Sequence, residues 1–577
     1  MKWKIARRRD PEIAPDEIFL DSSNVPAFDR ARFEGRLEKP LSHRMFFYLA
    51  TVLALLFFVL TARAWSLQVT DGESFASLSD NNSLSVTTLF SSRGVITDFQ
   101  GVILAENVEQ PDDSPDDGQG VTRRNYPVPS LGQVIGYVSY PKKDAKGIYY
   151  DTTEKGVAGI EAAYDSLLAG KNGVILTEKD AFGKVRSGGT VVAAESGKAL
   201  RLSIDARIQE LFARAIAQTV QSKGFIAGSG IIMLVDTGAV RAMVSYPSYD
   251  PNVIANDSSP EIIAAYAADP GRPFLNHAVS GVYAPGSIVK PFVAAGALTD
   301  GIITPTTIIN DPGFISLPDP YNPGKKFIFR SWKELGAMDV RGALAWSSSV
   351  FFYEISGGFG SQKGLGIDRL EYWYRQFGLG SPTGIDLHGE ADGLIPTPAW
   401  KKATYDEPWY LGDTYFTAIG QYSMQVTPIQ MVRAVAALAS GGKLFTPSLV
   451  EGFTPTLSAD TTPSYTTVSA SAEALAVARE GMRQAVTSAI AGALNLPYVS
   501  VAAKTGTAET GTHNQYVNSW VEGFFPYENP RYAFVVVLER GPVGTGGQAT
   551  QAMREFFSSL YAENSPYLGD AATALAQ

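Results

Sequence analysis

The chain has no cysteine, and this one absence removes disulfides, thiolate catalysis and cysteine-ligated zinc from the chemistry open to it. Histidine is scarce. Its four copies, His43, His277, His388 and His513, are too scattered to suggest a metal cluster and read as ordinary surface or core residues, although His513 follows Lys504–Thr507 closely enough to line the same cleft. Positive charge is also in deficit, with Lys plus Arg at 48 against Asp plus Glu at 58. A net charge of -10 with no long basic stripe argues against nucleic acid as a partner. No internal repeat is evident.

What is present is globular. The length of 577 residues predicts two to four domains, and the 45% apolar content excludes general disorder. One hydrophobic run stands apart: Met45 to Ala62, MFFYLATVLALLFFVLTA, carries no charge and is just long enough to span a bilayer, with Tyr48 and Trp65 suited to its interfaces. Ala62 and Ala64 form the small-x-small pattern of a cleaved signal peptide. The stretch before the run, residues 1–44, is far too long for one, so the run is expected to be an uncleaved transmembrane helix. Arg30, Arg32, Arg36, Lys39 and Arg44 precede it and Arg63 alone follows closely, which places the amino terminus in the cytoplasm and the rest of the chain outside. The lack of cysteine is compatible with an oxidising compartment.

Residues 1–44 mix charges of both signs with prolines and show no periodicity, as in a flexible tail. Residues 63–195 carry short alternating runs, such as SLSVTTLF and GQVIGYVSY, and predict a strand-rich pedestal. Within it, Pro111–Gly120 is acidic but lacks the spacing and closing Glu of a calcium loop, and reads as a solvated loop. From about residue 200 to 577 the texture changes to apolar helices alternating with strands. A hairpin is signalled at Thr237 and Gly238, strands at WVEGFFP and YAFVVVLE, and a helix from about Gln548 whose Met553, Phe556, Phe557 and Leu560 share one face. Hairpin, helical middle and strand-strand-helix finish together predict an α+β domain with an antiparallel sheet flanked by helices.

Three short strings carry chemistry. A serine hydroxyl needs a neighbouring base, and Ser287 and Lys290 in SIVK meet that need if a helix puts both on one face. Ser287 follows Pro285 and Gly286 at an expected helix start, where free backbone N–H groups favour a developing anion. Pro291 then places Lys290 in the first turn or beside a local distortion, and burial among Ile288, Val289 and Phe292 is expected to lower its pKa. In SSS, Ser347 can relay a proton to a leaving amine. In KTGT, Lys504 supplies a fixed cation, Thr505 and Thr507 supply hydroxyls for a substrate carboxylate, and Gly506 lets a substrate backbone approach. Two neighbouring cations, Lys290 and Lys504, depress each other's pKa. Any one string alone reads more simply as ordinary surface or capping residues; their order and context favour a serine acyl-transfer site.

The sequence resembles the class B penicillin-binding proteins, the monofunctional transpeptidases, over nearly everything after the apolar run. The resemblance rests on SRGVITDFQGVILA (Ser92–Ala105), GIEAAYDSLLAGKNG (Gly159–Gly173), LSIDARIQ, MVSYPSYDPN, YAPGSIVKPF and AIGQYSMQVTPIQM. Within the class, SSSVFFYEI, GLIPTPAWKK and LGDT are most similar to penicillin-binding protein 2, of side-wall elongation, with the division homologue penicillin-binding protein 3 as nearest competitor. The resemblance implies a five-stranded antiparallel sheet sandwiched by helices. It makes Ser287 the acylated nucleophile, Lys290 its base and Ser347 the relay, with Lys504, Thr505 and Thr507 on the donor carboxylate. The backbone N–H groups of Ser287 and Thr507 would form an oxyanion hole, in which each donor contributes ~3–4 kcal/mol.

Three positions depart from the family pattern. Ser349 stands where Asn or Asp is usual, and its shorter side chain is expected to fall short of spanning Lys290 and a substrate amide. Ser348 occupies the place where some penicillin-binding protein 2 members carry a zinc-ligating cysteine, so no zinc and no cofactor is expected. Phe99 replaces the Arg expected after Asp98, while Arg93 reads as a structural ion-pair partner. By resemblance the partners are peptidoglycan stem peptides, β-lactams, a SEDS-family lipid II polymerase and membrane proteins of the elongation complex. A β-lactamase and a non-catalytic penicillin-binding scaffold remain as rival readings.

Overall fold

The computed structural model describes residues 43–75, 84–109, 122–145, 149–179, 185–256, 259–319, 322–451 and 464–569. The flexible tail before His43 and the acidic loop at Pro111–Gly120 lie outside them. Two compact units divide the chain: one holds the described residues up to Ser85 with those in Thr177–Ser187, the other Val86–Leu176 and the described residues from Gly188 onward. In the first unit the apolar run is helical, an α-helix His43–Trp65 continued by a π-helical turn Ser66–Thr70. None of its residues is buried, and it is long and apolar enough to cross a membrane.

The second unit contains the pedestal residues of Val86–Leu176 and those from Gly188 onward, with the catalytic region, around a shared core in which Ile96, Leu104, Tyr126 and Leu131 join Leu202, Ile231 and Met233. The pedestal's four-stranded sheet is built from short pieces, in the order Leu200–Arg201, Ile96–Thr97, Ile103–Glu109, Thr122–Asn125. The pedestal is strand-rich, as its alternation predicts, but part of the run GQVIGYVSY is not a strand. Gly132–Ile135 is one helical turn entered through Pro129, with all four residues buried, so local i→i−4 bonds satisfy its backbone where no partner strand reaches it.

The catalytic region opens with helix α1 (Ala206–Lys223), started by the Asp205 carboxylate, which accepts the N–H groups of Arg207 and Ile208, and ended by Gly224 at φ 74. Strands β1 (Ala227–Leu234) and β2 (Val240–Tyr246) form the predicted hairpin, with Gly238 at φ 79 in its turn. Helices α2 (Lys290–Thr299), α3 (Val340–Trp346), α4 (Ser349–Gly357), α5 (Pro428–Ala439) and α6 (Ala472–Ser488) fill the middle. Strands β3 (Ala502–Thr510), β4 (Tyr516–Phe525) and β5 (Tyr532–Pro542) and helix α7 (Ala549–Ala562) close the fold.

The sheet is five-stranded and antiparallel, in the order β2-β1-β5-β4-β3, so β3 is an edge strand. Alternation splits its side chains between two cores. Val501, Ala503, Val521 and Phe525 pack with α1 and α7, whereas Ala502, Trp520 and Phe524 pack with α2, α5 and α6. Met553, Phe556, Phe557 and Leu560 of α7 are fully buried, which stabilises the sheet by about 1.5–3 kcal/mol per side chain.

Candidate active site

Ser287 lies in a 3-10 turn, Gly286–Val289, that runs directly into α2, and Lys290 is the first residue of that helix. Pro291 occupies the first turn of α2, where its missing N–H leaves no hydrogen bond unmade. The turn is pressed onto β3. Gly286 has φ 59, its N–H donates to the Gly420 carbonyl at 2.9 Å, and a Cβ there would fall 2.7 Å from the Thr507 carbonyl oxygen. Gly506 has the complementary role: a Cβ on it would meet the Pro285 carbonyl at 2.8 Å and Ile288 Cγ2 at 2.9 Å. The open space expected at Gly506 for a substrate backbone is therefore filled by the protein's own serine turn, because Gly506 faces the helices.

Lys290 is fully buried. Its ammonium donates to the Ser347 carbonyl at 2.9 Å and to the hydroxyls of Ser347 and Ser349 at 3.4 Å each. Ser349 thus reaches the lysine, though only at the long end of hydrogen-bond range. Ser287 is half-buried and makes no side-chain hydrogen bond among the described residues, so the expected serine–lysine contact is not closed in this state.

Ser347 ends α3 in the left-handed region, φ 58, a conformation costing a non-glycine residue ~1–3 kcal/mol. That turn sets its hydroxyl between two cations, accepting from Lys504 Nζ at 2.9 Å and from Lys290 Nζ at 3.4 Å. Lys504 also donates to the Thr505 carbonyl at 2.9 Å. Thr505 and Thr507 alternate to the other face of β3, where Thr505 is half-buried and Thr507 exposed. His513 sits in an exposed turn between β3 and β4 and makes no hydrogen bond or ion pair with these residues among those described.

Ser348 turns away from both lysines. It caps α4 by accepting the Phe351 N–H at 3.0 Å and donates its hydroxyl to Asp311 at 2.6 Å. Asp311 is fully buried and also accepts from Ser331 Oγ at 2.8 Å and from the Gly313 N–H at 2.8 Å. Ser331 in turn receives the Ser349 N–H at 3.0 Å, so one carboxylate pins the serine string from beneath. Sequence reading missed Asp311. Its only visible signal, the Asp311-Pro312-Gly313 turn, points to local geometry and gives no hint of a partner in the serine string.

Burial pushes Lys290 well below its ordinary pKa; the nearby Lys504 adds to the shift and Asp311 opposes it. Burial likewise pushes Lys504 down to about 7, opposed by Glu522. Two lysines with depressed pKa values therefore share one serine hydroxyl, beside a second serine at the edge of the sheet. Such a constellation can accept and hand on a proton near neutral pH.

Comparison with known proteins gives this arrangement a family. The model of the penicillin-binding protein transpeptidase domain matches residues 228–558, and that of the penicillin-binding protein dimerisation domain matches 119–202. The chain belongs to the class B penicillin-binding proteins. Peptidoglycan D,D-transpeptidase MrdA of Salmonella typhimurium is 33% identical over 479 residues, which is 76% of this chain and 72% of the relative. Penicillin-binding protein 2 of Helicobacter pylori, solved in complex with MreC, superposes with a TM-score of 0.69 at 25% identity, covering 83% of this chain and 99% of the other. A chain of a peptidoglycan synthase complex that coordinates polymerization and crosslinking gives 0.69 at 29% identity, covering 90% and 98%.

The pedestal departures of this penicillin-binding protein also have a structural account. Arg93 pairs with Glu161 at 2.6 Å and Asp165 at 2.8 Å, and Arg124 meets the same buried Glu161 at 2.7 Å. Phe99 lies beneath the Arg241 guanidinium, 4.2 Å from its ring centroid, and its carbonyl accepts from Arg201. A ring has replaced a side-chain charge and still holds a cation.

Proposed function

We propose that this penicillin-binding protein is a peptidoglycan D,D-transpeptidase of cell-wall elongation, anchored in the cytoplasmic membrane by His43–Thr70 with its catalytic region outside. The observation that carries the catalytic assignment is Ser347 Oγ held between Lys504 and Lys290, one helical turn from Ser287. Ser287 Oγ attacks the penultimate D-alanine carbonyl of a donor stem peptide, and its proton passes to the Lys290 amine. The backbone N–H groups of Ser287 and Thr507 stabilise the oxyanion. Collapse of the tetrahedral intermediate breaks the peptide bond; Ser347 relays the proton to the leaving amine, and terminal D-alanine departs. An acceptor amine then attacks the ester, forming the cross-link and returning the proton to Ser287.

Because β3 is an edge strand, a donor lying along its open edge is reached from both faces, by Lys504 on one and by Thr505 and Thr507 on the other, and these hold its terminal carboxylate; Ser349 supports Lys290. Glycan polymerisation is left to a partner, a SEDS-family polymerase engaging the membrane helix and pedestal, together with elongation-complex membrane proteins. The MreC complex of the Helicobacter pylori relative supports a further protein partner, and the synthase complex that coordinates polymerization and crosslinking supports a polymerising one. Intact mass after incubation with benzylpenicillin, compared with Ser287→Ala, tests the chemistry. A long-lived single adduct absent from the variant is expected. Rapid loss of the adduct with drug turnover would indicate a β-lactamase, and no adduct on folded protein a scaffold.

A further inference from the structure

Glu522 of β4 is fully buried, and neither carboxyl oxygen has a hydrogen-bond partner among the described residues. It pairs directly with Lys504 across the β3-β4 ladder. Directly opposed residues of an antiparallel pair project from the same face with Cβ atoms ~4.5–5.5 Å apart, so both side chains enter the same buried face, although the ammonium donates to Ser347 and Thr505 and makes no direct ion pair with the carboxyl. On its other side Glu522 faces Val535 of β5, and along its own strand Trp520 and Phe524 flank it on the same face.

The helices covering that face bring other charges, and most are already engaged. Lys290 of α2 donates to Ser347; Arg433 of α5 donates to the Phe445 carbonyl. On α6, Arg479 and Arg483 donate to the carbonyls of Tyr527 and Val501, Glu480 pairs with Arg341, and Glu473 is exposed in the first turn. Lys504 is the group whose charge opposes the strong upward pull of burial on the Glu522 carboxyl.

A buried carboxyl without partners needs an explanation. In the protonated form its O–H would have no acceptor, and in the ionised form it would have no donor. Hydrogen bonding therefore favours neither form; burial pulls the carboxyl strongly toward its protonated form, and the Lys504 ammonium is the group that pulls it toward ionisation. We infer that Glu522 is the buried counter-ion of Lys504, a positioning residue that keeps the lysine in its ammonium form so that it can bind the donor carboxylate. This rests on the assignment of Lys504 to that carboxylate. The two groups titrate as a pair. Without Glu522, burial alone acts on Lys504, and its ammonium is lost at lower pH.

The test is the second-order rate of acylation by a fluorescent penicillin from pH 5 to 10, on the full-length protein in detergent, for wild type, Glu522→Gln and Glu522→Asp. In the Gln variant the alkaline limb should move down by about one pH unit or more, a loss of about tenfold at alkaline pH. The acid side should be preserved, with the loss falling on the binding constant and not on the maximal acylation rate. Asp should restore part of the range. Superimposable profiles, or an equal loss at every pH, would overturn the inference. If the Gln variant does not fold, infrared titration of the wild type against the Asp variant decides instead: a protonated carboxyl band that persists to alkaline pH and shifts with Asp overturns it, and its disappearance near neutrality supports it. Failure of the wild type to acylate at any pH would sink the transpeptidase reading itself, a result separable from both.

Discussion

Replacing Asp311 by Asn should uncouple the serine string from its support. The carboxylate receives two hydroxyls on Oδ2, Ser348 at 2.6 Å and Ser331 at 2.8 Å, and the Gly313 N–H on Oδ1. Asn keeps an acceptor for Gly313 but puts an NH₂ where both hydroxyls donate. Ser348 and Ser331 can accept from it only by swinging their own hydroxyl hydrogens away, which leaves those O–H groups without the acceptor they had in Asp311. Hydrogen bonds to a charged group contribute ~1.5–3 kcal/mol each against ~0.5–1.5 for neutral ones, so weakening two of them should cost ~2–4 kcal/mol. At ~2–4 °C per kcal/mol the melting temperature should fall by ~4–16 °C. The Asp311 charge also opposes the depression of the Lys290 pKa. Its removal should lower that pKa further, so the amine forms at lower pH and the acid limb of acylation moves to lower pH. Thermal melting and penicillin labelling across the acid range would check both effects. An unchanged melting temperature, or an acid limb that moves upward, would refute the account.

Ser347→Ala should slow acylation by ~10²–10⁴-fold while barely altering melting, because Lys290 keeps the Ser347 backbone carbonyl and Lys504 the Thr505 carbonyl; labelling kinetics and melting together would show this. Gly506→Ala forces the Ser287 turn off β3, since the new methyl meets the Pro285 carbonyl at 2.8 Å; acylation should fall at least ~10-fold with ~1–3 kcal/mol lost by denaturant unfolding. Glu161→Gln leaves Arg93 and Arg124 without their shared buried anion; stability should drop by ~3–5 kcal/mol in urea unfolding, with labelling of the folded fraction unchanged.

The sequence by itself determined the apolar helix, the hairpin at Gly238, the closing strands and the face of α7, because each depends on local periodicity or turn chemistry that neighbouring residues carry. It also singled out Ser287, Lys290, the serine string and KTGT, since their spacing and order are visible along the chain. Tertiary structure alone decided which groups meet. Ser347 accepts from Lys504, 157 positions away, through a left-handed turn that no residue type announces. Asp311 reaches the serine string from a separate strand, and Gly506 accommodates the protein's own turn instead of a ligand. Glu522 looks like one more residue in an apolar strand until the β3-β4 register sets it opposite Lys504. Burial and register are properties of the folded sheet, and they fix which charges must balance one another where Lys290, Lys504 and Glu522 are fully buried.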